Sequence, residues 1–252
     1  MKLRAAMSFT CLMLFACAGA LADDAEPQWG HLKGRVVLEG DVPMARLLVG
    51  PVGGKNGIRN IPDESLVVDK TTKGIANVVV YLQKKPVAIH PDLRESKDRT
   101  VKFQAVGGRF VPHVLLVRTD QKIEISSPDP FAYNVHEYPI KNVQHGYVVT
   151  PGNDSVRELK FAERLPLTVR CDIHPWMQAW WVVLDHPYAA VTGKDGSFEI
   201  KNLPVGEHDF SVWQEQAGYI RPNEKAKFFH VPIVADVSTS LEVSVPVANF
   251  PR

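Results

Sequence analysis

Apolar and polar residues alternate in short runs along most of the chain: Arg35–Leu38, Asn77–Leu82, Val114–Arg118, Lys122–Ser126, Leu167–Cys171, Ser197–Lys201 and Leu241–Val247. A two-residue period puts every second side chain on the same face of an extended strand, so each run predicts a strand with one face in a core. Turn-forming clusters separate the runs, at Pro51–Gly57, Ser127–Pro130, Thr150–Asp154, Gly193–Gly196 and Leu203–Gly206. No window of about a dozen residues keeps a 3.6-residue period. The expected fold class is all-β, with sheets packed face to face in sandwiches. The 19 Pro and 17 Gly agree, because frequent chain breaks suit short strands better than long helices.

The first segment follows a different pattern. It has a basic start (Lys2, Arg4), an apolar stretch from Phe9 to Ala18 and an Ala20-Leu21-Ala22 ending, followed by Asp23-Asp24. This is the layout of an export signal over residues 1–22, too short to span a bilayer, and it implies a periplasmic or extracellular protein. Cys17 would end a lipoprotein signal, which Phe15 before Ala16 fits poorly. Nothing later is apolar for long enough to make a transmembrane segment.

Removing the signal changes two counts. Lys2 and Arg4 leave, so the 27 remaining Lys and Arg face 28 Asp and Glu and the net charge is −1. Nucleic acid is excluded as a partner, since phosphate binding needs a concentrated basic surface. Cys11 and Cys17 also leave, so Cys171 is the one remaining thiol and no internal disulfide can form. A lone Cys in an oxidising compartment is either buried and inert or employed as a ligand or nucleophile.

That Cys opens the run Cys171-Asp172-Ile173-His174-Pro175-Trp176-Met177. Thiolate, imidazole and thioether at i, i+3 and i+6 are three soft or borderline metal ligands on one short loop, and Cys with His and a distant Met is the blue-copper combination. Leu167, Val169 and Cys171 share one face of the preceding strand, so the thiol points inward. Zinc suits the set less well, since there is no second Cys and Met is a poor zinc ligand. The plainer alternative is a buried Cys beside a surface His and a core Met.

Two stretches carry family resemblances. Ala190 to Trp213, AVTGKDGSFEIKNLPVGEHDFSVW, resembles the carboxypeptidase-regulatory or transthyretin-like β-sandwich in its D-G-x-F-x-I and L-P-x-G runs. The opening strands that such a domain needs look like Gly34–Gly40 and Gly74–Leu82, about a hundred residues upstream. The expected organisation is therefore a discontinuous outer sandwich, residues 28–98 plus 188–252, interrupted by a second domain at 99–187. In that second domain, C-x-x-H-P-[FW]-M resembles the ligand loop of amicyanin-type cupredoxins. The longer runs FVPHVLLVRTDQKIEISSPDPFAYNVH and CDIHPWMQAWWVVLDHPYAAVT are similar to bacterial exported proteins of the "methylamine utilization protein" type, over most of Trp29 to Tyr219. The resemblance implies a cupredoxin-like Greek-key sandwich joined to the outer one. It also implies copper bound by Cys171, His174 and Met177, and a role in one-electron transfer or copper handling with a redox partner protein.

This chain departs from that pattern at one decisive position. Cupredoxins take their first His from a loop reading [P/A]-H-N-V, and here the sequence is Phe131-Ala132-Tyr133-Asn134-Val135-His136, with Tyr133 at the ligand position. A neutral phenol with a pKa near 10 must lose its proton before it binds a metal. His136 lies three residues on, facing the other side of a regular strand, and reaches the Cys171 side only through a bulge. The metal set to be located is thus Cys171, His174 and Met177 with Tyr133, His136 or His113. The family's additional Cys residues are absent too, from Gly107-Gly108-Arg109-Phe110 and from Gly53-Gly54. His186 is expected to be structural, and His31, His90, His145, His208 and His230 to be exposed. Trp176, Trp180 and Trp181 are expected in core and domain contacts, with Trp176 forming an apolar rim for a docked redox partner. No hydrolase, zinc-protease or phosphate-loop signature is present, so the chain is not expected to be an enzyme. The competing expectation is a metal-free sandwich module that contacts protein or polysaccharide.

Overall fold

The computed structural model describes residues 26–52 and 57–251. The expected export signal, with Cys11 and Cys17, and the Gly53-Gly54 turn lie outside the described residues. The chain is all-β, and its strands build four stacked layers that form two sandwiches.

The outermost layer has Trp29–Glu39 at its centre, antiparallel to Ser197–Pro204 on one side and parallel to Ser238–Pro246 on the other. The second layer is built on Val79–Leu82 and Gly206–Gln214, extended by Ala189–Val191, Gly218–Ile220 and Phe229–Ile233. Leu32, Val36, Phe198, Ile200 and Val243 from the first layer meet Val80, Leu82, Phe210 and Val212 from the second in one core. The Asp195-Gly196 turn is held tightly: a Cβ on Gly74 would fall 1.9 Å from the Asp195 carbonyl group, so only glycine fits there.

The inner sandwich uses the strands from Thr100 to Leu184. One sheet runs Ser155–Glu158, Lys122–Ser126, Thr100–Val106, Arg109–Val111 in spatial order. The other runs Gly146–Val149, Tyr133–Tyr138, Leu167–Arg170, Gln178–Leu184, Val114–Arg118. Its core contains Phe103, Phe110, Ile123, Ile125, Val169 and Trp181, with the Phe103 ring 5.1 Å from both Phe110 and Trp181.

The two middle layers face one another. Val79, Tyr81 and Trp213 of the outer sandwich pack on Val114, Trp180, Val182 and Leu184 of the inner one, and the Trp180 and Trp213 rings stand edge to face at 5.0 Å. Both strands at this contact are therefore buried on two faces. Alternation disappears there: Val79–Leu82 and Trp181–Leu184 are apolar throughout because neither face meets water.

Leu47–Pro51 and Ile58–Pro62 form a separate two-stranded hairpin. It leaves the outer sandwich and lies against the inner one, with Val52 and Ile61 buried over Gly108 and the Gly50 backbone over the indole of Trp176. Among the described residues no helix is long and apolar enough to cross a membrane.

Candidate metal centre

Cys171 follows directly on the Leu167–Arg170 strand and is buried, 2% exposed. The chain then makes a tight loop. The Met177 N–H donates to the His174 carbonyl at 2.9 Å and the Cys171 N–H to the Met177 carbonyl at 3.3 Å, so the loop's two ends are tied together. This closure turns His174 back over the thiol, with Nδ1 3.5 Å from Cys171 Sγ. The imidazole is 7% exposed, and burial holds its pKa below the usual histidine value, so the ring is neutral with a lone pair to offer. The backbone N–H of Asn134 points at the same sulfur from the neighbouring strand at 3.4 Å. Met177 is buried in the same core as Cys171.

Tyr133 closes the far side. It is fully buried, and its ring centroid lies 5.0 Å from that of His174. Its hydroxyl donates to Asp129 Oδ2 at 2.6 Å and accepts the Gly108 N–H at 3.0 Å. Burial, reinforced by the hydrogen bond to Asp129, pushes the phenol above the ordinary tyrosine range, so it stays protonated. Trp176 completes the enclosure, its ring 5.2 Å from His174 and its Nε1–H donating to the Gly108 carbonyl at 3.2 Å.

The remaining candidates are elsewhere. Along Tyr133–Tyr138 the buried positions are 133, 135 and 137, so His136 faces outward, with Nδ1 3.0 Å from the Asp172 carboxylate. The strand pairs residue for residue with Gly146–Val149, so no bulge re-aims that imidazole toward Cys171. His113 is buried where the two sandwiches meet, its Nε2 2.5 Å from Glu215 Oε2, which also accepts the Trp180 indole N–H at 2.6 Å. The structure thus brings Cys171, His174, Met177 and Tyr133 together, turns His136 outward and engages His113 with Glu215. Among the described residues no three His, Cys, Asp or Glu side chains gather as a metal site.

No family model and no curated protein matches the chain. Solved structures are similar over part of it. One is an amicyanin mutant in the reduced state (16% identity, 35% of this chain and 86% of that one, TM-score 0.30). Another is a purple cupredoxin from Nitrosopumilus maritimus (13%, 32% and 97%, TM-score 0.28). A third is a copper-containing nitrite reductase from Thermus scotoductus (20%, 39% and 25%, TM-score 0.31). Likeness at this level gives no side-chain correspondence.

Several parts of the site have no sequence signal. Asp129 sits in a turn cluster four residues before Tyr133, and nothing in its spacing marks it as the phenol's partner. Glu215 comes to His113 from the other sandwich, 102 residues away. The hairpin is the third omission: its strands flank the Pro51–Gly57 turn but do not alternate cleanly. Because Gly50 covers the Trp176 indole, Trp176 is not a free rim. Three His expected at the surface are half-buried instead. His31 accepts the Asn202 N–H, His90 the Asp92 N–H, and His208 lies 2.7 Å from the Pro204 carbonyl.

Proposed function

We propose that this is an exported copper-binding protein that serves one-electron transfer or copper handling, with Cys171, His174 and Met177 as its ligands. The observation that carries the reading is the buried pair of Cys171 Sγ and His174 Nδ1 at 3.5 Å. A tetrahedral ion of zinc's size, held by sulfur at about 2.3 Å and by imidazole at about 2.0 Å, sets those two atoms about 3.5 Å apart. Copper bound there would supply a one-electron couple. The chain's own residues do the remaining work. The two backbone bonds that close the loop fix the ligand spacing, and the Asn134 N–H offers a hydrogen bond to a metal-bound sulfur. The apolar core around them excludes water. The role is binding and transfer rather than turnover, and the partner it implies is a redox protein.

The test is metal retention. The mature chain, loaded in separate samples with copper(I) under anaerobic conditions and with copper(II), then desalted, should keep one equivalent in at least one of the two states, and Cys171→Ala should keep none in either. Wild-type protein that emerges without copper from both samples contradicts the reading.

A second reading is favoured by Tyr133, whose hydroxyl is already satisfied by Asp129 and Gly108. In it the Cys171–His174 contact is a thiol–imidazole hydrogen bond, and the chain is a metal-free sandwich module that contacts protein or polysaccharide. Loss of all copper on desalting is the result that would favour it.

A further inference from the structure

We infer that the Cys171 site is selective for copper(I) and that Tyr133, held by Asp129, makes it so; this rests on the copper-binding reading above. Thiolate and thioether donors select copper(I), whereas copper(II) favours tetragonal sets of nitrogen and oxygen donors. The loop offers two sulfurs, Cys171 and Met177, and one nitrogen, His174. A second nitrogen or a hard oxygen is what copper(II) would require.

The surroundings withhold it. On the neighbouring strand, beside His174, the side chain is Tyr133, and its oxygen is already engaged by two other partners. The hydroxyl donates a hydrogen bond to Asp129 Oδ2 at 2.6 Å and accepts the Gly108 N–H at 3.0 Å. Asp129 Oδ2 is itself fixed by the Gly107 N–H at 2.7 Å, so the carboxylate is held in place from both sides. What Tyr133 turns toward His174 is its ring, 5.0 Å centroid to centroid. The other three imidazoles of this sandwich are placed elsewhere: His136 on the outer face beside Asp172, His113 against Glu215, and His145 exposed and stacked on Tyr147. The geometry therefore fits a low-coordinate soft ion. It makes the chain a holder of copper(I) in preference to a fast electron shuttle, which must accommodate both oxidation states in one geometry.

The experiment compares the oxidation states directly. Under anaerobic conditions the mature chain should withdraw one equivalent of copper(I) from its coloured bicinchoninate complex. Copper(II) added to a separate sample should be lost on desalting, without an intense thiolate-to-copper band in the visible. Tyr133→His should gain copper(II) retention, that band and an electron paramagnetic resonance signal. Met177→Leu, close to isovolumetric and expected to fold, should weaken copper(I) binding at least tenfold. Wild-type protein that keeps copper(II) with the visible band overturns the selectivity and leaves the copper-binding reading standing. Retention of neither oxidation state overturns both. A folded Tyr133→His chain that gains no copper(II) overturns the role given to Tyr133, and unchanged copper(I) affinity in Met177→Leu overturns the ligand set.

Discussion

Glu163 shows how single polar residues hold the inner sandwich in shape. Its carboxylate accepts the backbone N–H groups of Ile140, Lys141 and Asn142 at 3.0–3.1 Å and the Asn142 side-chain amide at 2.7 Å, so one buried charge ties down the loop after Tyr133–Tyr138. Burial alone would raise its pKa, but these hydrogen bonds outweigh burial and hold it below the ordinary 4.5. A carboxyl with a depressed folded pKa contributes stability that is present above the unfolded value and lost as pH falls through the folded one. Wild type should therefore exceed Glu163→Gln by about 3 kcal/mol in urea unfolding near neutral pH. The difference should shrink once pH drops below 4.5. A difference that does not vary with pH would show that the charge is not what holds the loop. None of this was legible in the sequence, because the donors are backbone groups. Glu137 was equally hidden: it takes an inward strand position, and Arg157, from the opposite sheet, meets its carboxylate at 2.6 Å.

At the scale of elements, the strands with one wet face were legible and those without were not. Ser197–Lys201 and Lys122–Ser126 alternate because a sheet face meets solvent. Asn77–Leu82 was read as alternating, yet Val79–Leu82 is buried on both faces, since the second sandwich covers the side that would otherwise be polar. The grouping of Cys171, His174 and Met177 was legible because all three come from one short segment. The cover over it was not foreseen, since a two-stranded hairpin packed on a foreign domain leaves little periodic signal. The hairpin's seat can be tested at Gly50. A Cβ there would fall 2.6 Å from the Trp176 indole, so Gly50→Ala must push the hairpin outward. The expected result is a loss of about 1–3 kcal/mol and greater quenching of tryptophan fluorescence by iodide, with the added quenching removed by Trp176→Phe. Unchanged quenching would mean that the hairpin does not shield Trp176 in solution.

The whole molecule is organised by the contact between its middle layers. Trp180, Trp213, Tyr81 and Val182 make a third core between the two sandwich cores, and the buried His113–Glu215 pair spans the same junction. Each sandwich uses the other to cover an apolar sheet face, so unfolding should be one cooperative transition, with tryptophan fluorescence and far-ultraviolet dichroism coincident. Trp213→Ala should cost about 3–5 kcal/mol and separate the two curves. Two transitions in the wild type would mean that the layers fold independently. The junction also anchors the Cys171–Met177 loop, because Gln178–Leu184 runs from Met177 straight into it. The proposed function rests on the soft donors of that loop. The most direct measurement is X-ray absorption at the copper edge on the copper(I)-loaded mature chain, beside Cys171→Ala and Met177→Leu. Two sulfur scatterers and one imidazole are expected in the wild type, one sulfur fewer in Met177→Leu, and no retained copper signal in Cys171→Ala. A first shell of nitrogen and oxygen alone, or a spectrum indifferent to Cys171, would contradict the proposed function.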